Sequence, residues 1–213
     1  MKSTGNKSRP APRRHYRQIA RAEAAGDTAR RIAVAFAECI HERWIEDVTL
    51  EDVAARAGVT VRTVIRRFGS KEGLLARHSD YLAAQVRADM NITPGDFEGA
   101  LDRGLTFYER IGDGIIRNLA QEKRHPALKP MLDRGRSELR DILSAFYAPW
   151  LDPLPVKERQ RVLDQLVVAT DIYTWQILRR DAGRSLKETR AVMLALIQAI
   201  LNQLSTTKAR SGG

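Results

Sequence analysis

Thr49-Leu50-Glu51-Asp52-Val53-Ala54-Ala55-Arg56-Ala57-Gly58-Val59-Thr60-Val61-Arg62-Thr63-Val64-Ile65-Arg66-Arg67-Phe68 is the stretch on which the reading of this 213-residue chain turns. Thr49 and Thr60 each stand where a helix can begin, because a threonine hydroxyl accepts from a backbone N–H that the first turn leaves open. Glu51 and Asp52 follow Thr49 in that first turn, where the helix dipole favours negative charge. Gly58 supplies the positive φ of a tight turn. Two short helices, about Leu50–Ala57 and Val61–Phe68, joined in this way have the layout of a helix-turn-helix. Val53, Ala54, Ala57, Val59, Val64 and Phe68 form the small core between them. The second helix then presents a basic face, with Arg62 and Arg66 one turn apart and Thr63 and Arg67 beside them. No acidic residue occurs from Val53 to Lys71. Such a helix suits the major groove of a duplex, its N-terminal residues at the base edges.

Outward from this stretch the apolar pattern is helical, without alternating strand-like runs, and about nine helices are expected. The first covers about Asp27–Trp44, with Ile32, Phe36, Cys39 and Ile40 inward. A fourth, capped by Ser70, covers about Lys71–Asn91, and Asn91–Gly95 breaks the chain. A fifth spans about Asp96–Ile111. Gly112 and Gly114 are expected to interrupt it before a short sixth helix to Lys123. The seventh runs from His125-Pro126 to about Tyr147, and Pro149, Pro153 and Pro155 force a loop. The eighth spans about Pro155–Asp181, stopped by Gly183. Ser185 and Glu188 form a capping box for the ninth, which runs to about Leu204.

The chain holds 36 Lys and Arg against 26 Asp and Glu, a formal charge of +10. Lys2, Lys7, Arg9, Arg13, Arg14, Arg17 and Arg21 fall before the first acidic residue, in a segment poor in apolar side chains, read as a flexible basic arm. This surplus favours an anionic partner such as nucleic acid. Cys39, the sole cysteine, excludes an intrachain disulfide, which fits a reducing compartment. No run approaches the ~18 apolar residues of a membrane span, and no apolar segment follows the basic start as in a secretory signal. A cytoplasmic location and no membrane partner are expected. His15, His41, His78 and His125 are scattered, and no zinc-protease, Walker or dinucleotide motif is present. The chain is therefore read as a non-enzyme, without catalytic residues, metal or cofactor.

These residues resemble the TetR family of bacterial transcriptional regulators. The resemblance lies in Val53-Ala54-Ala55-Arg56-Ala57-Gly58-Val59-Thr60, then Thr63-Val64-Ile65-Arg66-Arg67-Phe68, then Gly69-Ser70-Lys71-Glu72-Gly73-Leu74, within residues 28–80. It implies an all-α chain with an N-terminal three-helix DNA-binding domain and a larger ligand-binding and dimerisation domain. The expected division is a disordered basic arm at 1–26, a helix-turn-helix domain at 27–75, a sensor and dimerisation domain at 76–204 and a flexible tail at 205–213. The resemblance implies base contacts from Val61, Arg62 and Thr63, and phosphate contacts from Thr49, Thr60, Arg67 and Lys71. Three positions depart from the family pattern. Ile65 stands where a tyrosine is usual, and either packs inward or meets a thymine methyl. Arg62 replaces a small residue, and Trp44 replaces a glycine. Arg66 completes the expected DNA-facing set.

The last two expected helices are apolar on more than one side, and a helix of that kind must bury more than one side. A symmetric second copy meets the need. A homodimer through these helices is expected, with Ile197 at its seam and a palindromic double-stranded DNA operator. The resemblance also implies a repressor released by a small ligand, apolar or amphipathic. Phe107, Tyr108, Ile111, Met131, Tyr147 and Trp175 are candidate pocket residues, with Ile115, Leu132, Phe146 and Trp150 as further candidates. Two alternatives stay open: a non-specific architectural DNA binder, and a regulator of the same fold without a small-molecule ligand.

Overall fold

The computed structural model describes residues 13–89 and 93–211, and no strand occurs among them. Helix α1 runs from Arg13 to Glu42, starting well before the expected Asp27. Pro12 precedes it, and the stretch that follows is rich in Ala, Arg, Gln and Glu, all strong helix formers. Intrinsic propensity thus outweighs the shortage of apolar side chains on which the expected arm was based. Residues 1–12, with Lys2, Lys7 and Arg9 of that arm, lie outside the described residues.

The head of the molecule joins α1 to α2 (Leu50–Ala57), α3 (Val61–Phe68) and α4 (Lys71–Asp89). Ile32, Phe36, Cys39 and Ile40 of α1 meet Val53, Ala54 and Ala57 of α2, Val64 of α3 and Leu74 of α4 in one buried cluster. The body comprises α5 (Phe97–Gln121), α6 (Lys129–Phe146), the single-turn α7 (Ala148–Leu151), α8 (Val156–Thr170), α9 (Ile172–Gln176) and α10 (Leu186–Ser211). Its core gathers Leu105, Phe146, Tyr147, Leu166, Trp175, Met193 and Ile197. The head's cluster does not stop at α4, because Leu128, Met131 and Leu132 at the start of α6 belong to it.

The expected fifth and sixth helices are one. Helix α5 continues through Gly112 and Gly114 because both face packed neighbours, not solvent. A Cβ on Gly112 would lie 2.7 Å from the Trp175 ring, and one on Gly114 would lie 2.8 Å from the Cα of His41. The glycines let α9 and α1 approach α5, and that packing outweighs the ~1 kcal/mol by which glycine weakens a helix interior.

The expected eighth helix is divided. Thr170 Oγ donates to the Leu166 carbonyl at 2.8 Å, and the Thr170 carbonyl accepts from Tyr108 Oη at 3.1 Å. Asp171 is extended, and its carboxylate accepts the Tyr173 N–H at 2.9 Å, capping α9. After Gln176 the chain widens into a π turn, Ile177–Asp181, from which the adjacent Arg179 and Arg180 both reach α5. Arg179 pairs with Glu109, Arg180 pairs with Asp113 and lies 4.5 Å from the Trp175 ring centroid, and Trp175 Nε1 donates to Glu109 at 2.8 Å. In the proline-rich stretch, Pro149 sits in the first turn of α7, so a helical turn forms there before the loop.

The predicted capping box of the last helix is present: Ser185 N–H donates to Glu188 at 2.8 Å, and Glu188 N–H donates to Ser185 Oγ at 3.2 Å. Helix α10 buries Met193, Ile197 and Leu201 within the chain's own core. Ile197 is fully buried, so it is not a seam residue as expected. Ile172 and Trp175 are core residues too. In the body, the large apolar side chains left exposed are Val156, Val168, Tyr173 and Ile177 on α8, α9 and the π turn, and Leu186, Val192 and Leu196 on α10.

Polar groups also lie inside the joint between head and body. His78 of α4 is 2% exposed and packs edge-on to Phe36 and His41, with ring centroids 6.2 and 5.6 Å away. Burial first, and His41 second, hold its pKa at about 3 against 6.5 for a free side chain. His41 is lowered in the same direction, by burial and then by Arg117 and Arg110.

Two measurements test this account of the joint. Replacing Gly114 by alanine raises helix propensity yet is expected to destabilise the fold by about 1–3 kcal/mol through overpacking against His41; an unchanged or higher melting temperature would contradict it. Because the folded chain keeps His78 neutral while the unfolded chain protonates it near pH 6.5, His78's stabilisation is complete above pH 6.5 and declines as acid is added. From pH 7 to pH 5 its share of the loss is about 2 kcal/mol. Urea unfolding of H78F across that range should show a correspondingly flatter slope, and an unaltered slope would place the proton uptake elsewhere.

Candidate nucleic-acid interface and internal cavity

The candidate reading helix is held in place by caps at both of its neighbours' ends. Thr49 N–H donates to Asp52 Oδ2 at 2.9 Å and Asp52 N–H donates to Thr49 Oγ1 at 3.1 Å, a reciprocal capping box that starts α2. The Thr49 N–H first, then the Thr49 hydroxyl, which donates to Asp52 Oδ2 at 2.7 Å, with Arg43 3.2 Å away, hold the Asp52 carboxyl at about 2. Gly58 closes α2 in the left-handed region at φ 63°, and Val59 N–H reaches back to the Ala54 carbonyl at 2.9 Å. Thr60 then caps α3, its Oγ1 accepting the Thr63 N–H at 3.2 Å.

This framework sorts the residues read from the sequence. Arg62, Ile65 and Arg66 share the outer face of α3, and Ile65 is 48% exposed. Of the two alternatives for Ile65, the outward one is observed. Val61 is half-buried and packs on the head's core, so only part of it faces out. Thr63 is half-buried, its hydroxyl 3.0 Å from that of Thr60. Arg67 is half-buried beside Phe68, Gly73 and Ala76, in a shallow groove between α1, α3 and α4. Thr49 and Thr60 are exposed. Lys71 has a structural duty the sequence did not show: its Nζ donates to the Ile45 carbonyl at 2.9 Å, which leaves two of its three N–H bonds for an anion.

The charge on this face is uncompensated. Among the described residues Arg62, Arg66 and Arg67 have no acidic group within 4.0 Å, whereas Arg56, Arg136, Arg140, Arg179, Arg180 and Arg190 each have one. Most arginines of the body face a carboxylate, and the exposed Arg62 and Arg66 of α3 do not.

A cavity of about 200 Å³ lies where α1, α4, α5, α6 and α8 converge, and its lining is mostly apolar. Of the six residues proposed from sequence, Phe107, Tyr108, Met131 and Tyr147 line it. Ile111 and Trp175 do not: Trp175 is fully buried against Gly112 as a core residue. Ile115, Leu132 and Phe146 also line the cavity, while Trp150 does not. Sequence reasoning missed polar residues of its lining, His41, His78 and Asn118 among them. The signal was available in outline. His78 falls in register with Leu74, Leu75 and Leu82 on α4, and Asn118 with Gly114 and Gln121 on α5, and a polar residue on a buried stripe asks for a partner.

Comparison with known proteins agrees with this geometry. Residues 32–77 match the family model described as bacterial regulatory proteins, tetR family. The HTH-type transcriptional regulator AlkX of Mycobacterium tuberculosis is 30% identical over 108 residues, covering 48% of this chain and 51% of that protein. An uncharacterized HTH-type transcriptional regulator of the same species is 30% identical over 94 residues, covering 44% of this chain and 50% of its own length. The chain thus matches about half the length of these curated relatives. Among solved structures, a transcriptional regulator from Rhodococcus sp. RHA1 superposes with a TM-score of 0.64 at 20% identity, over 82% of this chain and 96% of its own. A TetR-family regulator from Mesorhizobium loti superposes with a TM-score of 0.59 at 17% identity, over 84% and 96%. At these identities the superpositions speak for the fold alone. No described helix is long and apolar enough to cross a membrane. Residues 32–77 thus carry the tetR-family domain, within which the helix-turn-helix lies, and the described helices share the overall plan of these solved regulators.

Proposed function

We propose that the chain is a sequence-specific transcriptional repressor that binds a palindromic operator as a homodimer and is released by a small apolar or amphipathic ligand. The observation that carries the DNA-binding part is the outer face of α3, where Arg62 and Arg66 are exposed, unpaired and one turn apart with Ile65 between them. An arginine there can meet the O6 and N7 of guanine with two parallel hydrogen bonds, and an exposed isoleucine can meet a thymine methyl. Thr49, Thr60, Arg67 and the remaining donors of Lys71 flank that face as phosphate contacts, which set register without reading sequence. An architectural binder would carry unpaired basic groups over its whole surface, and here the arginines of the body are largely spent on carboxylates.

The dimer reading rests on the exposed apolar residues of α8, α9 and α10. Val168 and Leu196 line one groove between α8 and α10, at 67% and 44% exposure. Burying them against a symmetry-related copy would contribute the non-polar area that a lone chain leaves in water. The ligand reading rests on the cavity and on α4, which starts beside the helix-turn-helix at Lys71 and lines the cavity through His78, Leu82 and Val86. A ligand that favours one placement of α4 would bias the spacing of the two reading helices.

Sites selected from random DNA supply the duplex for testing. Arg62→Ala is expected to weaken binding to the selected site by about 1–3 kcal/mol and to relax preference at one position per half-site, with little change on scrambled DNA, as read by fluorescence anisotropy at several salt concentrations. Equal weakening on both duplexes would reassign Arg62 to phosphate. For assembly, Leu196→Glu and Val168→Glu should give folded monomers by light scattering and circular dichroism, whereas Ile197→Glu should disrupt folding instead. A dimer that persists in the double Val168→Glu, Leu196→Glu variant would remove these helices from the interface.

A further inference from the structure

The cavity is lined mostly by apolar side chains, with a smaller number of polar ones. Leu101, Leu105, Phe107, Leu139, Leu143 and Phe146 form its apolar wall. The lining also includes His78 of α4 and Asn118 of α5, each 2% exposed. His78 Nδ1 and Asn118 Oδ1 are both buried and both lack a hydrogen-bond partner in the protein. A buried polar atom left unpaired costs about 1–3 kcal/mol, so these two atoms, on residues that line one cavity, would gain from a partner that entered it.

The chemistry of the missing partner follows from what surrounds it. Asn118 Oδ1 is an acceptor, so the partner must donate. The low pKa of His78 keeps the imidazole neutral, so it offers no positive charge to an anion. The charged groups lining the cavity are already engaged. Arg134 pairs with Asp80, Arg136 lies 2.5 Å from Glu122 and 2.8 Å from Asp133, and Asp171 accepts the Tyr173 N–H at 2.9 Å. Glu138 lies 3.9 Å from Arg134. An isolated carboxylate or ammonium entering this space would lose its hydration without a free counter-ion, which is strongly unfavourable. A volume of about 200 Å³ is somewhat larger than the ~150 Å³ that admits one benzene, enough for a ring or short chain with a small head.

We infer that the cavity takes an uncharged, largely apolar molecule bearing one hydrogen-bond-donating group, a hydroxyl or primary amide, and that Asn118 and His78 read this group. A hydroxyl donates to Asn118 Oδ1 and accepts from an Nδ1–H of His78; a primary amide has two N–H bonds and can donate to both atoms. This assignment rests on the reading of the cavity as the regulator's effector site. It places the polar contact at the joint, between α4, which leads back to the helix-turn-helix, and α5, which is seated on α1.

The test is calorimetric titration of the full chain with four probes of similar size: 2-phenylethanol, its isomer benzyl methyl ether, phenylacetate and 2-phenylethylamine. The alcohol is expected to bind at least tenfold tighter than each of the others. Asn118→Leu and His78→Leu should bring its affinity down to that of the ether, while ether binding persists and shows that the cavity is intact. His78→Gln, which restores a neutral polar partner, should recover part of the preference. If the ether, the anion or the amine binds the native chain as tightly as the alcohol, if none of the four binds, or if the preference survives in the Asn118→Leu, His78→Leu double variant, the assignment is wrong. Anisotropy of the selected operator, followed in parallel, separates the two levels. Selective alcohol binding without DNA release upholds the head-group assignment and removes the effector role. Release by ether and alcohol alike does the opposite.

Discussion

The carbonyl oxygen of His41, at the C-terminal end of α1, accepts from Arg117 of α5, and four residues on, the Ile45 N–H donates to Gln121 Oε1 of the same helix at 2.8 Å. Gln121 is in turn fixed by its Nε2, which donates to the Arg117 carbonyl at 2.9 Å. The end of a helix leaves carbonyls without partners, and here the body supplies a donor for one of them. Gly114 makes this possible by letting the backbone of α5 approach His41 without an intervening side chain. A polar network of this kind, inside a protein, is strong when complete and costly when broken. It ties the turn before α2, and so the placement of the whole helix-turn-helix, to a helix of the body.

The head is therefore not an independent bead on a linker. Its core takes in Leu128, Met131 and Leu132 from the start of α6, and Glu46 in the turn after α1 faces Arg124 and His125 at 3.3 and 2.9 Å. A rearrangement of α5 and α6 around the cavity cannot occur without disturbing the packing beneath α2 and α3. Packed interfaces of this density shift between discrete arrangements and do not deform smoothly, which is the property a ligand-operated switch needs. The same joint explains why charge is distributed as it is. Many of the arginines that brace the body face carboxylates, and Arg62 and Arg66 of α3 face none.

What the sequence disclosed and what it hid follow from the range of the forces involved. Caps, turn glycines and the inward stripes of α1 to α3 are local, and Thr49, Gly58, Thr60 and Ser185 marked their helix ends correctly. Gly112 and Gly114 misled because a glycine in a helix interior looks like a break until a partner from elsewhere in the chain, Trp175 or His41, is seen to fill the space. The division after Thr170 depends on Tyr108, more than sixty positions away, and could not be read from α8 alone. Ile197 was assigned to an outer face because α10 is apolar around most of its circumference, and periodicity does not say which side meets the chain's own core. Phe107, Tyr108, Met131 and Tyr147 were legible as lining residues of the cavity, but His78 and Asn118 were not, since a lone histidine and a lone asparagine acquire meaning only when two helices bring them to one cavity.

Cys39 sits at the centre of the head's core with no exposed surface, and it is the sole thiol of the chain. A thiol reagent can reach it only when α1 separates from α2 and α4. The rate at which native protein is alkylated therefore reports openings that part the head's core, which includes the start of α6. The molecule carries, without any engineered label, a clock for the motion of its DNA-facing half.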